Sequence, residues 1–352
     1  KTDPSDSLRA ILKSEISDTA KLQPYFHLLP LLKDTVETKN YLPEVFELIS
    51  NSSEPDRAYS TMVGVVRRLR QYDNVYTRKV ILDRFMSSAS MVNDLSTRGY
   101  FYYELSALQT RLGRMELFEL NMGKSETLFM QAQDSMGIAY CYGLRGLVTI
   151  FQGRWVEALE PCTQSISRFM AMGDTANAVL MRYNTADIYL NFGNYAKAID
   201  MLETNILHAR RINDQRMLTG MLNKLAAIHI DQGAYEIAKN YLDKSLEISL
   251  KIKQPSSIAT AYLFLGSIAA DNNQDSLALS HYHRSLAICQ DMGDQREIQQ
   301  RLFRLGYLYM RRNEEDSARA YYNKAFKIAM ESNIIGDYIH QLERIGNWYQ
   351  TQ

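Results

Sequence analysis

Apolar residues in this chain fall at helical rather than alternating spacing, as in Leu180, Tyr183, Ala186 and Tyr189, which places one face of a helix against a core. The pattern also repeats. Residues 305–326, "LGYLYMRRNEEDSARAYYNKAF", carry Leu305-Gly306, Asn313, Ala318 and Tyr322. Forty residues earlier stand Leu265-Gly266, Asn273, Ala278 and Tyr282. The phase predicts helix pairs at 135–152 with 155–172 and at 175–192 with 195–212, and so on to about 332, then an unpaired helix at 336–350.

Two small-residue series and two turn series define the repeat. Gly146, Ala186, Ala226, Gly266, Gly306 and Gly346 form the first, and Ala158, Ala198, Ala238, Ala278 and Ala318 the second. Small side chains let two backbones approach, so each pair marks the crossing of a helix hairpin. Between them lie Gly113, Gly153, Gly193, Gly233, Asn273 and Asn313. These are the residue types that end a helix in the left-handed conformation. Asp94, Asp134, Asp174, Asp214 and Asp294 mark the other turn, where a carboxylate accepts from the free N–H groups of a helix start. Gln254 interrupts that series, but Pro255 follows it and proline suits a first helical position.

The organisation expected from these marks is a degenerate helical N-terminal cap at 1–53, divergent helix pairs at 54–133, five forty-residue units at 134–333 and the first helix of a truncated further unit at 334–352. Terminal units of such arrays are commonly degenerate. The unpaired last helix suggests that the natural protein continues. The start at Lys1, without an initiator methionine, fits either a trimmed chain or a removed targeting peptide.

Composition narrows the function classes. The 352 residues are 46% hydrophobic and 23% charged, with forty basic residues balancing forty acidic ones. That balance argues against a general attraction to nucleic acid or anionic membrane. The basic run Arg67-Arg68-Leu69-Arg70 lacks flanking aromatics set for stacking and reads as a solvated helix face. Cys141, Cys162 and Cys289 match neither a disulfide framework nor a zinc spacing. No window approaches the ~18 apolar residues of a membrane span.

No catalytic constellation emerges, and no metal or cofactor is expected. His281 and His283 are two apart on a predicted helix and point to different faces. His229 reads as a core residue. Glu314-Glu315-Asp316 opens a second helix, where negative charge favours the helix dipole. Neither a phosphate-cradling G-x-x-x-x-G-K loop nor a G-x-S-x-G elbow is present.

The marks at 302–322, namely Leu302, Leu305-Gly306, Tyr309, Ala318 and Tyr322, resemble the tetratricopeptide-repeat (TPR) pattern W-x2-L-G-x2-Y followed by A-x3-F. The resemblance covers roughly residues 94–350 and departs from the family in length, forty residues instead of thirty-four. The twelve-residue Gly-to-Ala interval is kept, so the extra six residues lengthen the helices by about 9 Å in all. The resemblance implies an all-α fold, a right-handed TPR superhelix (α-solenoid) of antiparallel helix hairpins whose first helices line a concave groove.

By the same resemblance, positions three before and one, four and five after the signature Gly or Ala face that groove. They select Leu147, Tyr183, Asp187, Asn191, Asn223, Asp231, Leu263, Ser267, Phe303, Tyr307 and Arg311 as partner-binding candidates. The mixture suits a peptide whose apolar side chains find pockets while amides hold its backbone. Packing between hairpins is the rival role for Tyr183, Phe303 and Tyr307. The two-carboxylate clamp of chaperone-binding TPRs is missing, because its Lys and Asn positions hold Gly143, Leu147, Tyr183 and Asp187. The expected role is non-enzymatic protein or peptide binding within a larger bacterial regulator, with its periplasmic part favoured over a cytoplasmic setting. A small-molecule receptor and a self-assembly module are the alternatives, the latter making this chain a homo-oligomer.

Overall fold

The computed structural model describes residues 4–13, 18–29, 35–71, 75–88 and 92–331, and these form seventeen α-helices with no strand among them. The expected helix at 334–352, like residues 1–3, lies outside the described residues. The chain divides into two compact units, Lys1–Met181 and Arg182–Gln352. The first contains α1 (Pro4–Lys13), α2 (Asp18–Leu28), α3 (Thr35–Ser50), α4 (Pro55–Gln71), α5 (Val75–Ser88), α6 (Leu95–Arg111), α7 (Met115–Gln131), α8 (Ser135–Phe151) and α9 (Trp155–Ala171). The division falls within α10 (Thr175–Asn191). The second unit continues with α11 (Tyr195–Arg211), α12 (Gln215–Asp231), α13 (Tyr235–Lys251), α14 (Pro255–Asp271), α15 (Asp275–Met292), α16 (Gln295–Arg311) and α17 (Glu315–Glu331).

Helix starts follow the aspartate series. The side chains of Asp94, Asp134, Asp174, Asp214 and Asp294 accept from the backbone N–H groups of Thr97, Gly137, Asn177, Met217 and Glu297 at 2.8–3.1 Å. Gln254 makes no such cap, and Pro255 opens α14 instead. Helix ends follow the other series, since Gly113, Gly153, Gly193, Gly233, Asn273 and Asn313 all have positive φ.

A second left-handed series precedes the aspartates and was not legible in the sequence: Gln133, Gly173, Asn213, Lys253 and Gly293. A residue with a Cβ is strained there by about 1–2 kcal/mol. Lys253 has φ 52°, so Lys253→Gly is expected to stabilise the chain by roughly 0.5–1 kcal/mol after the added freedom of the unfolded state is deducted. Lys253→Val should destabilise it. Urea unfolding of the two variants ranks them, and the reverse order would remove the strain assignment.

Within a hairpin the small residues are where the helices cross. A Cβ added to Gly266 would lie 2.6 Å from the Tyr282 ring, and one on Gly306 would lie 2.9 Å from Tyr322. Gly146 is likewise closed by the Cys162 sulfur. A recurring serine adds a second tie in four of the hairpins. Ser125, Ser165, Ser245 and Ser285 are fully buried on second helices, and each donates to the carbonyl 26 residues before it, on Gly99, Ala139, Thr219 and Ala259. A helical carbonyl has a second lone pair to accept with, so each of these four hairpins gains a buried cross-link at no cost to its helix.

In the second unit α13 packs on α14 and α15 on α16, and the first helices α12 and α14 also touch. In the first unit α2 to α6 share one apolar core, in which Leu29, Val45, Ile49, Tyr59, Met62 and Leu82 are fully buried. Charge is buried beside this core. Glu104 of α6 is fully inaccessible and pairs with Arg78 of α5 at 3.3 Å and Arg67 of α4 at 3.5 Å. The basic run expected to be solvated therefore divides. Arg68 is exposed, but the Arg67 guanidinium lies 4.3 Å from the centre of the Tyr100 ring and 5.3 Å from that of Tyr140. Aromatics distant in sequence cover it.

Candidate functional site

The residues selected from the sequence all lie on first helices, Leu147 on α8 in the first unit and the others on α10, α12, α14 and α16 in the second. Three residues of the second unit form a cluster. Lys224 of α12 donates to the Tyr183 carbonyl at 3.0 Å and to Asp187 Oδ1 at 2.8 Å, both on α10. The Lys224 ammonium also sits 3.6 Å from the centre of the Tyr183 ring, within the range of a cation–π contact. The Lys224 side chain is 13% exposed and that of Asp187 41%, so the carboxylate is the part turned to solvent. Burial pushes the Tyr183 phenol up to about 12, with the Asp187 charge adding to it. Burial pulls the Lys224 ammonium below its ordinary value, against the opposing pull of Asp187. The arrangement offers a hydrogen-bond acceptor beside an aromatic surface, with the cation locked behind both.

The remaining candidates separate by burial. Asn191 and Asp231, at the ends of their helices, are exposed, and Leu147 in the first unit, Ser267 and Tyr307 are half-buried. Asn223, Leu263 and Phe303 are almost fully buried. Asn223 donates to the Ser257 carbonyl of α14 at 3.1 Å, and the Phe303 ring packs edge-on against Tyr322 at 5.3 Å. Arg311 reaches back one unit to the Ala270 carbonyl at 2.8 Å and to the side chains of Asn273 and Asp275. Ser267 accepts from the Tyr282 hydroxyl at 3.3 Å. These groups hold neighbouring helices in register, which leaves Tyr183, Asp187, Asn191, Asp231 and Tyr307 with surface to offer.

Lys224 was missed in the sequence because it lies two positions before the signature alanine, outside the inward set. The repeat offered no signal either, since the equivalent positions hold Glu104, Leu144, Asn184, Phe264 and Arg304.

Reactive groups elsewhere have structural surroundings. His281 stacks on Tyr262, His283 contacts Tyr321 and His229 stacks on Tyr241, so the two neighbouring histidines face different partners. Glu315 and Asp316 lie in the first turn of α17. Cys141 is buried, and burial pushes its thiol up to about 12. Among the described residues no three His, Cys, Asp or Glu side chains gather as a metal site, and no helix is long and apolar enough to cross a membrane.

Comparison with known proteins bears on the fold. Tetratricopeptide-repeat family models match residues 217–291 and 300–329. No curated protein matches by sequence. Among solved structures, the apo form of RapI superposes with TM-score 0.64 at 13% identity, over 78% of this chain and 98% of that one. NprR in complex with its cognate peptide NprX gives 0.63 at 15%, over 85% and 86%. A STAND protein with a tetratricopeptide repeat sensor, PH0952 from Pyrococcus horikoshii, gives 0.63 at 16%. That match takes in 94% of this chain but only 53% of the STAND protein. The matched stretches coincide with α12–α15 and α16–α17, and the described residues share the all-α solenoid fold of these tetratricopeptide-repeat structures.

Proposed function

We propose that this chain is a non-enzymatic, peptide- or protein-binding part of a regulatory protein, and that its first-helix face receives the partner. The observation that carries this reading is the Tyr183–Asp187–Lys224 cluster, a preorganised aromatic and acceptor surface whose cation is already neutralised. Asn191, Asp231 and Tyr307 extend the same face in the second unit. Asn223, Leu263, Phe303 and Arg311 shape its floor. Support comes also from the solved relatives of like fold, one of them crystallised with its cognate peptide and another, a Rap conjugation regulator, with the Phr* peptide.

The test is a pull-down from lysate of the source organism, with a Tyr183→Ala, Asp187→Ala variant beside the parent. These positions are better probes than Asn223 or Phe303, whose loss would disturb packing first. The expected result is a partner held by the parent and weakened about tenfold or more, some 1.4 kcal/mol, by the variant, at unchanged helicity. Equal retention by both would sink the assignment of the face.

A further inference from the structure

The repeats align the chain with itself, and one hairpin departs from the others at three neighbouring places. Position 98 corresponds to Ile138, Ala178, Leu218, Ile258 and Ile298, but is Arg98. Position 120 corresponds to Glu160, Asp200, Asn240, Ser280 and Ala320, but is Leu120, 55% exposed. Position 123 carries a side chain in every other unit, from Thr163 to Asn323, but is Gly123. A glycine inside a helix costs about 1 kcal/mol relative to alanine. A Cβ added at Gly123 would meet nothing within 4 Å, so no close contact among the described residues calls for it.

All three departures line a single open cleft of about 570 Å³ along α6 and α7, together with Tyr102 and Lys124. The cleft is positive. Arg98 Nε is buried without a hydrogen-bond partner among the described residues. Lys124 lies 5.3 Å from the centre of the Tyr102 ring and pairs with no carboxylate among those residues. The cleft's own acid, Glu119, is held by Arg145 of α8 at 2.7 Å. Its shape points to a helix as occupant. Leu120, Gly123, Thr127 and Met130 follow one another at intervals of three, four and three, the seam spacing of helix against helix. Met130 is 59% exposed, and a glycine in the seam lets a second backbone come close.

We propose that this hairpin docks an acidic amphipathic helix of a partner protein. The partner's apolar stripe crosses α7 at Gly123, and its carboxylates reach Arg98 and Lys124. The surface lies along α6 and α7 and shares no residue with the Tyr183–Asp187–Lys224 cluster.

The test is selection from a displayed library of helical peptides on the whole chain, with a triple variant, Arg98→Ile, Leu120→Glu and Gly123→Thr, as comparison. Each replacement is the residue carried by the next hairpin, so the variant should keep its helicity and melting temperature. Enrichment of peptides with apolar residues at three-and-four spacing flanked by Asp or Glu is expected, with binding about tenfold weaker to the variant. Gly123→Gln alone, which favours the helix and meets no clash, should weaken it as well. Equal binding to parent and variants would move those peptides to another face and overturn the proposal, as would enrichment without acidic residues. A dimer of the parent that Gly123→Gln converts to monomer would assign the seam to a second copy of this chain and overturn it too.

Discussion

Arg78→Met is expected to destabilise the first unit by about 3–5 kcal/mol, the cost of leaving a buried charge short of its partner. Glu104 is fully inaccessible, and Arg78 is almost so. The second cation, Arg67, sits at 3.5 Å and is 38% exposed, so it cannot compensate fully. The loss belongs to the orphaned carboxylate more than to the ion pair itself. Arg78→Met combined with Glu104→Leu should therefore regain much of the stability, because an apolar pair of similar volume avoids the desolvation of both charges. Urea unfolding followed by circular dichroism measures both variants. A double variant as unstable as the single one would show that the site depends on the charges as such.

Phe129→Ala should cost a similar amount, about 3–5 kcal/mol, as expected for a large buried aromatic. The ring is fully buried and is wedged between two glycines. A Cβ on Gly99 would stand 2.6 Å from it, and one on Gly137 would overlap it outright. Gly137→Ala alone should cost about 1–3 kcal/mol by overpacking. With the ring gone the added methyl finds space, so the two effects should fall well short of their sum. Hydrogen exchange is the suitable measurement. In a repeat stack the loss is local, and faster exchange should concentrate in α6, α7 and α8. Additive costs would mean that the ring and the glycine do not share one space.

Much of this fold was legible because its marks are local. A capping aspartate acts on an N–H three residues away, and Gly113 or Asn313 acts at its own φ, so a forty-residue ruler finds them. Contacts that join distant residues were legible only in part. The partner of Gly266 was signalled by Tyr282 at a fixed offset, whereas Ser125, Ser165, Ser245 and Ser285 passed unnoticed, since a serine in a helix has no distinctive pattern until its acceptor is known. Gln133 and Lys253 hid a turn because their left-handed conformation is imposed by neighbours. The candidate site was less legible still. Spacing put Asn223 and Phe303 on the same footing as Tyr183 and Asp187, and only the packing of adjacent helices separates buried from available. Arg67 shows the same limit, because its covering rings, Tyr100 and Tyr140, come from two later helices.

The serine cross-links carry a consequence for how such a chain can change its length. Each bond joins partners 26 residues apart inside one hairpin, so in these four hairpins the serine hydroxyl finds its acceptor without a neighbour. Removing residues 215–254 would take out α12 and α13 with the Ser245–Thr219 bond intact inside the excised piece, and would bring Asp214 directly before Pro255. A cap and a helix-opening proline would then meet at the new joint. Removal of thirty-four residues would instead strand a donor from its acceptor and a turn from its cap. Growth and shrinkage of the array are thus quantised in steps of forty, and a binding face built on it is lengthened or shortened by whole hairpins.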